Sequence, residues 1–177
     1  MNVLLRRLVP LASTILLVLG GLALAAPAQA TVTSDGVIVN AGSGLCLGIQ
    51  GSSPHSGAIA EQGYCTPGSA TQTWTVRAQL VDAYGNVADQ FENGDHLCLG
   101  VQGSSTTSGA QVLQGTCSGT SDHSQFWLVL SDGNGHYILD NYKSYLCMGI
   151  QGSSLASGAK VLQGTCGTPA TPTQRWI

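Results

Sequence analysis

One motif occurs three times in this chain of 177 residues. The copies read LCLGIQGSS at 45–53, LCLGVQGSS at 97–105 and LCMGIQGSS at 146–154. Each copy is followed by Ser-Gly-Ala, by a second cysteine 19 positions after the first, and by Gln-x-Trp. Three copies at a period of about 50 residues indicate a repeat protein, in which similar units pack against one another.

The first 30 residues precede the repeats and have the pattern of a secretory signal peptide. Arg6 and Arg7 form a basic start, residues 11–25 are apolar, and Ala28-Gln29-Ala30 is a small-x-small cleavage pattern. The apolar run is shorter than the ~20 residues of a membrane span. We therefore expect a secreted protein in which 1–30 are removed. The remaining domain, 31–177, would consist of lobes at about 31–80, 81–130 and 131–177.

Six cysteines in an exported chain favour disulfides over a metal site, because the sequence has no Cys-x-x-Cys pair and no Cys/His cluster. We expect neither a metal nor a cofactor. If each copy is one structural unit, each unit closes its own bridge. The predicted pairs are Cys46–Cys65, Cys98–Cys117 and Cys147–Cys166.

The charge of the chain excludes two classes of partner. Nine acidic residues stand against six basic ones, and two of the basic residues are in the leader. No basic patch is available to neutralise phosphates, so nucleic acid and anionic membranes are excluded as partners. No apolar run after Ala30 is long enough to cross a bilayer, and we expect no membrane contact after signal cleavage.

Short apolar runs separated by turns rich in glycine, asparagine and serine predict an all-β protein with about four short strands in each lobe. The third strand of each lobe is expected directly after the Ser-Gly motif, at 58–60, 110–113 and 159–162. A propeller usually needs at least four blades, and a solenoid has atypical end repeats. Three equivalent units therefore indicate a closed β-trefoil.

The Cys-Leu-x-Ile/Val motif, the Ser-Gly-Ala loop, the second cysteine and Gln-x-Trp resemble the ricin-B-type (R-type) lectins, also known as family 13 carbohydrate-binding modules. The resemblance covers essentially all of 31–177. It implies a β-trefoil in which Trp74, Trp127 and Trp176 fill the core near the threefold axis, while each Gln of Gln-x-Trp braces its own lobe. A large apolar ring with one polar group, once per lobe, suits such a core.

The resemblance also implies a sugar pocket in each lobe, but the usual pocket residues are absent. That family uses an Asp two residues after the first cysteine, an aromatic residue two before the second cysteine, and an Asn before Gln-x-Trp. The first position is Gly48, Gly100 and Gly149, the second is Gly63, Gly115 and Gly164, and the third is Thr71, Ser124 and Thr173. A glycan would therefore have to bind in a modified way.

Two interpretations of the repeated glutamines remain open. In one, their amides bind sugar hydroxyls above a floor of glycine; in the other, they brace turns and were copied with the repeat. Lobe one is the strongest candidate site, because Glu61 adds a carboxylate and Tyr64 adds a ring beside the missing aromatic position. The candidate carbohydrate-binding residues are Gln50, Glu61, Gln62, Tyr64, Thr71, Gln72, Gln102, Gln114, Gln125, Gln151, Gln163 and Gln174.

The sequence predicts no catalytic activity. Its carboxylates form no repeated pair, and the neighbours Asp122, His123 and Ser124 would point to alternate faces of an extended chain. The expected function is weak, multivalent binding of an extracellular or cell-wall polysaccharide. The alternative is a secreted scaffold that binds a protein through the longer connections 79–92 and 131–145, where Tyr84, Tyr137, Tyr142 and Tyr145 lie.

Overall fold

The computed structural model describes residues 36–177, so the predicted signal peptide lies outside the described residues. Within that range no helix is long and apolar enough to span a bilayer. The strands are β1 (Cys46–Ile49), β2 (Ala60–Gly63), β3 (Trp74–Val81), β4 (Val87–Asn93), β5 (Leu97–Val101), β6 (Val112–Thr116), β7 (Trp127–Ser131), β8 (Tyr137–Asn141), β9 (Cys147–Ile150) and β10 (Val161–Gly164). Single turns of 3-10 helix lie at Gln50–Ser52, Ala70–Gln72, Gln102–Ser104, His123–Gln125, Gln151–Ser153 and Pro172–Gln174.

The ten strands form the three units of a β-trefoil, as predicted, with four strands in lobe two and three each in lobes one and three. Strand β1 pairs with β2, and the order β10-β9-β8-β7-β4-β5-β6, with β3 on β4, makes the larger sheet. All four strands of lobe two are complete (β4 to β7). At the chain ends, single bridges from Asn40 and Tyr137 to Trp176 replace full strands and close the barrel. Closure leaves few unpaired strand edges.

The third strand of each lobe begins about two residues later than the sequence predicts, at Ala60, Val112 and Val161. The glycine of each Ser-Gly-Ala loop has a positive φ, which keeps the loop turning through the following residues. Those residues instead bridge to a neighbouring lobe, in the pairs Ile59 with Leu113, Gln111 with Leu162, and Lys160 with Glu61. The start of each predicted strand therefore belongs to the contact between lobes.

The three tryptophans fill the core, which confirms their predicted role. Each is at most 1% exposed and packs in one cluster with the aliphatic side chains of the strands. Each indole N–H donates to a buried backbone carbonyl, so the ring's polar group is satisfied. The acceptors are Leu47 at 3.1 Å, Leu99 at 3.2 Å and Met148 at 3.2 Å.

The three predicted disulfides are present, one in each lobe: Cys46–Cys65, Cys98–Cys117 and Cys147–Cys166. Each joins the first strand of a hairpin to the segment just after the second strand. In a chain-entropy model, closing a loop of this length stabilises the fold by about 3 kcal/mol.

Candidate functional site

A hollow with a floor of glycine lies in lobe three, beside the hairpin of β9 and β10. It has a volume of about 380 Å³. Gly149 and Gly164 form its floor, and Ser108 and Gly109 from lobe two form one edge. The remaining wall combines the polar Gln151, Thr171, Thr173 and Gln174 with the apolar Ile150 and Leu162. The hollow therefore offers hydroxyl and amide groups around a surface without side chains.

In each lobe, the Gln of Gln-x-Trp lies against the glycine that stands in place of the Asp. A Cβ on Gly149 would lie 2.8 Å from Cγ of Gln174, and the same contact would be 2.8 Å at Gly48 and 2.7 Å at Gly100. The glutamine stem lies on the glycine, in the space that an Asp side chain would need. Glycine at this position and glutamine in that conformation therefore require each other.

The amides of these three glutamines are already bound to the backbone on either side of the second cysteine. Gln174, for example, donates to the Thr165 carbonyl at 2.8 Å and accepts from the Gly167 N–H at 3.0 Å. Gln72 makes the same pair with Tyr64 and Thr66, and Gln125 with Thr116 and Ser118. This geometry supports the bracing interpretation for them. Thr71 is buried, with its hydroxyl 3.2 Å from that of Ser69.

The glutamines one residue before the missing aromatic position are fully buried and hold the lobes together. Each donates two hydrogen bonds of 2.7–3.0 Å to carbonyls in the loop of a neighbouring lobe. Each also accepts one bond from a polar side chain of its own lobe. Gln62 binds Ser154 and Ala156, Gln114 binds Ser53 and His55, and Gln163 binds Ser105 and Thr107. These contacts support bracing instead of ligand binding.

The first repeated glutamine of each lobe is exposed. Gln50, Gln102 and Gln151 each begin a 3-10 turn, with a glycine of positive φ next in the chain, and Gln151 lines the hollow of lobe three. Among the repeated glutamines, these three present their amides to solvent. Sugar binding by these three glutamines stays a prediction, and their exposed side chains are accessible to a ligand.

The lobe-one candidates lie on the expected hairpin. Glu61 on β2 is directly opposite Gly48 on β1. Opposite residues of an antiparallel pair project to one face, so the Glu61 side chain lies on the same face of the hairpin as Gly48. Leu113 and Leu162 occupy this place in the other lobes. Tyr64 is 77% exposed and lies just beyond the strand, so its ring is accessible.

Sequence reasoning missed a carboxylate in lobe two. Asp122 accepts hydrogen bonds from the Ser104 hydroxyl at 3.1 Å and from the Ser124 N–H at 3.1 Å. Burial acts to raise its pKa, but the Ser124 and Ser104 bonds and the charge of Lys143 outweigh burial and hold the pKa below the usual value. The signal was its place three residues before Gln125, where the other lobes have Ser69 and Thr171.

Asp122, His123 and Ser124 do not line up in the manner of a catalytic triad. Asp122 and Ser124 both contact Ser104, whereas the His123 ring packs 5.2 Å from the ring of Tyr142. A triad needs the imidazole between carboxylate and hydroxyl. These three residues therefore do not form a catalytic triad.

Solved structures with the same fold include proteins of several kinds. The designed threefold symmetric protein ThreeFoil superposes with a TM-score of 0.69 at 26% identity, over 79% of this chain and 94% of that one. The C-terminal half of an earthworm R-type lectin, solved with GalNAc, gives 0.57 at 15% identity, over 80% and 94%. An exo-β-1,3-galactanase from Clostridium thermocellum gives 0.68 at 23% identity over 79% of this chain, but only 28% of that one.

Curated protein sequences give no match to this chain. The model of the ricin-type beta-trefoil lectin domain, in contrast, matches residues 34–176. That match spans all three lobes, with their tryptophans and their disulfides. The chain therefore belongs to the ricin-type β-trefoil lectin family.

Proposed function

We propose that this protein is a secreted, non-catalytic lectin that binds a polysaccharide weakly through each hollow and more strongly through several together. Membership of a lectin family supports a carbohydrate-binding module. The observation that carries the proposal is the glycine-floored hollow of about 380 Å³ in lobe three, whose mixed polar and apolar lining can admit a sugar ring.

The exposed glutamines are the groups that would bind the sugar hydroxyls. An amide donates and accepts at once, as a hydroxyl does. The glycines beneath let a sugar approach the backbone closely. In lobe one, Glu61 adds a carboxylate that can make stronger, charge-assisted bonds to hydroxyls.

Affinity electrophoresis in gels that contain xylan, β-glucan or galactan, together with depletion on insoluble cellulose and chitin, tests this function. The triple variant Gln50→Ala, Gln102→Ala, Gln151→Ala should lose retention on a polymer far more than any single variant, because avidity multiplies weak sites. Asn134→Ala removes an exposed amide outside the hollows and serves as the control. Equal retention of wild type and triple variant contradicts the use of the hollows.

Glu61→Ala examines lobe one separately. It should weaken binding to the retained polymer by severalfold, since one charge-assisted hydrogen bond is worth about 1.5–3 kcal/mol before avidity from the other lobes compensates. Unchanged retention would remove Glu61 from the site.

A second candidate function is binding of a protein by the hairpin of β3 and β4. Its tip carries two exposed apolar side chains, Val81 at 67% and Tyr84 at 91% exposure. Exposed apolar groups of this kind occur in protein interfaces. Retention of one secreted protein by the wild type, lost in Tyr84→Ala, together with no binding to any glycan, would favour this alternative.

A further inference from the structure

Three aromatic side chains meet at the junction of lobes two and three, outside the hollows. His123 comes from the 3-10 turn before β7, and Tyr142 and Tyr145 come from the turn between β8 and β9. The ring centroids of His123 and Tyr142 are 5.2 Å apart, and those of Tyr142 and Tyr145 are 6.4 Å apart. His123 is exposed and Tyr145 is 65% exposed. We call these three side chains the aromatic platform.

The platform has a rigid base. Tyr142 packs against a small buried cluster of Ala88, Phe126 and Leu128, separate from the main core. Its backbone N–H donates to the carbonyl of Phe126 at 2.8 Å. The Tyr142 ring is therefore held in place before any ligand arrives, so binding does not have to order it.

Tyr145 occupies a backbone conformation that disfavours a side chain of its size. Its φ is 54°, in the left-handed region, where lobe one has Gly44 and lobe two has His96. A large ring in this region is uncommon and is maintained at a cost. Because most of the ring faces solvent, packing does not account for its presence. The turn has this conformation in every lobe, so what distinguishes lobe three is the exposed tyrosine ring that it carries.

Polar groups border the rings. Asp122 adjoins His123 in the chain, and the charge of Lys143 acts on Asp122. Burial raises the pKa of Tyr142, and the charge of Asp82 raises it further. The platform therefore combines flat apolar faces with hydrogen-bond acceptors and one donor of opposite charge.

This combination fits a sugar better than it fits a protein. A pyranose presents an apolar C–H face to a ring and hydroxyls to the surrounding acceptors. Three side chains, in contrast, cannot supply the ~800 Å² per partner of a stable protein interface. The opposed charges of Asp122 and Lys143 favour a neutral ligand over a strongly charged one.

Neighbouring rings of the platform are inclined to each other by 58° and 61°, so a sugar can stack on one ring only. We propose that the exposed Tyr145 ring of the aromatic platform stacks against one pyranose of a neutral polysaccharide, and that the platform is a binding site additional to the hollows. The proposal rests on the proposed lectin function, because it assumes that the protein binds glycans. It supplies the stacking surface that the hollows lack, since Gly63, Gly115 and Gly164 occupy their aromatic positions.

The test is Tyr145→Gly, compared with His96→Gly at the matching position of lobe two. Both variants remove an exposed ring from a residue with positive φ, 54° and 62° respectively. Glycine adopts this conformation without strain, so both should fold and show an unchanged or higher Tm. On the same xylan, β-glucan and galactan gels, we expect Tyr145→Gly to bind about tenfold more weakly, the loss of roughly one good ring contact.

Three outcomes are informative. The expected result is weaker polysaccharide binding by Tyr145→Gly, with binding by His96→Gly equal to that of the wild type. Similarly weakened binding by His123→Ala would show that the His123 ring also belongs to the site. Wild-type binding in Tyr145→Gly overturns the platform but leaves the lectin function intact. Failure of the wild type itself to bind any glycan overturns the lectin function, and the platform proposal with it.

Discussion

The repeated interior and the junction of lobes two and three use polar and aromatic residues in opposite ways. In the interior, tryptophans and glutamines recur in every lobe, are buried, and have their hydrogen bonds satisfied within the protein. At the junction, His123, Tyr142 and Tyr145 have no repeated counterparts, and two of the three are exposed. The interior is saturated with internal contacts, whereas the junction is open to a ligand.

This difference shows what repetition means in the chain. A residue copied three times is under the same packing demand in each lobe, so recurrence marks the scaffold more readily than the binding site. The exposed glutamines Gln50, Gln102 and Gln151 are the exception, because they recur without being buried. Departures from the repeat, such as Glu61, Asp122 and Tyr145, are where individual lobes can acquire separate roles.

Gln114→Ala tests the scaffold side of the comparison most strongly. The change leaves two loop carbonyls and the Asn93 amide without their partner, so the free energy of unfolding should fall by about 3–5 kcal/mol. Urea denaturation followed by fluorescence of the buried tryptophans measures it. The exposed Gln102→Ala should change stability by about 0.5 kcal/mol or less. A loss below about 1 kcal/mol in Gln114→Ala would refute the bracing role.

The Gly149→Asp variant tests whether lobe three tolerates the Asp that related lectins have at this position. Because the new side chain would displace Gln174, we expect a loss of about 1–3 kcal/mol in stability without a gain in sugar binding. Gly164→Ala is the matched control, since its nearest contact would be Ser108 Oγ at an ordinary 3.8 Å. That control should keep its stability but narrow the hollow, and therefore weaken retention on a polysaccharide. A stable Gly149→Asp protein with tighter binding would contradict this explanation of the missing Asp.

The smallest expected effect contrasts two carboxyl groups, Asp140 in lobe three and Asp122 in lobe two. Burial raises the pKa of Asp140, whose carboxylate lies 2.8 Å from Cys147 Sγ. Because its pKa is raised, folding favours the protonated form of Asp140. The resulting contribution to the free energy of unfolding is present at low pH and is lost as the pH rises through the folded pKa. Asp140→Asn should therefore raise stability at pH 7, by about 1 kcal/mol or less, and change little near pH 3.

The Asp122→Asn variant should show the opposite sign. In the wild type, the pKa of Asp122 is lowered by folding. The ionised Asp122 carboxylate therefore stabilises the fold at pH values above its unfolded pKa, and this stabilisation is lost as the pH falls through the folded pKa. Removing the charge should lower the Tm at pH 7 more than near pH 3. Thermal melts of both variants and the wild type at pH 7 and pH 3 measure these effects. If the two variants change the Tm at pH 7 in the same direction, the opposite pKa shifts of Asp140 and Asp122 are contradicted.

The fold could be predicted from the sequence because its determinants recur locally. The Gln-x-Trp motifs, the cysteine pairs 19 residues apart and the count of three units were sufficient for a β-trefoil. The starts of β2, β6 and β10 were displaced because their first residues bridge to another lobe. Local periodicity carries no information on contacts between lobes.

The candidate site was less predictable for the same reason. Sequence spacing showed that Gln62 recurs, but not that its amide reaches Ser154, 92 positions away. It showed glycine at the Asp positions, but not that a glutamine stem fills the space above them. Asp122 was passed over because only folding brings it to Ser104, 18 positions earlier in the chain.

The exchange of loops among lobes runs in one direction around the molecule. The loop carbonyls of lobe three accept hydrogen bonds from the buried glutamine of lobe one. In the same way, the loop of lobe one binds the glutamine of lobe two, and the loop of lobe two binds the glutamine of lobe three. An isolated lobe would keep its disulfide, but its buried glutamine and its loop carbonyls would both lack their hydrogen-bond partners. The three lobes therefore depend on one another, and we expect a single lobe to be unstable as a monomer.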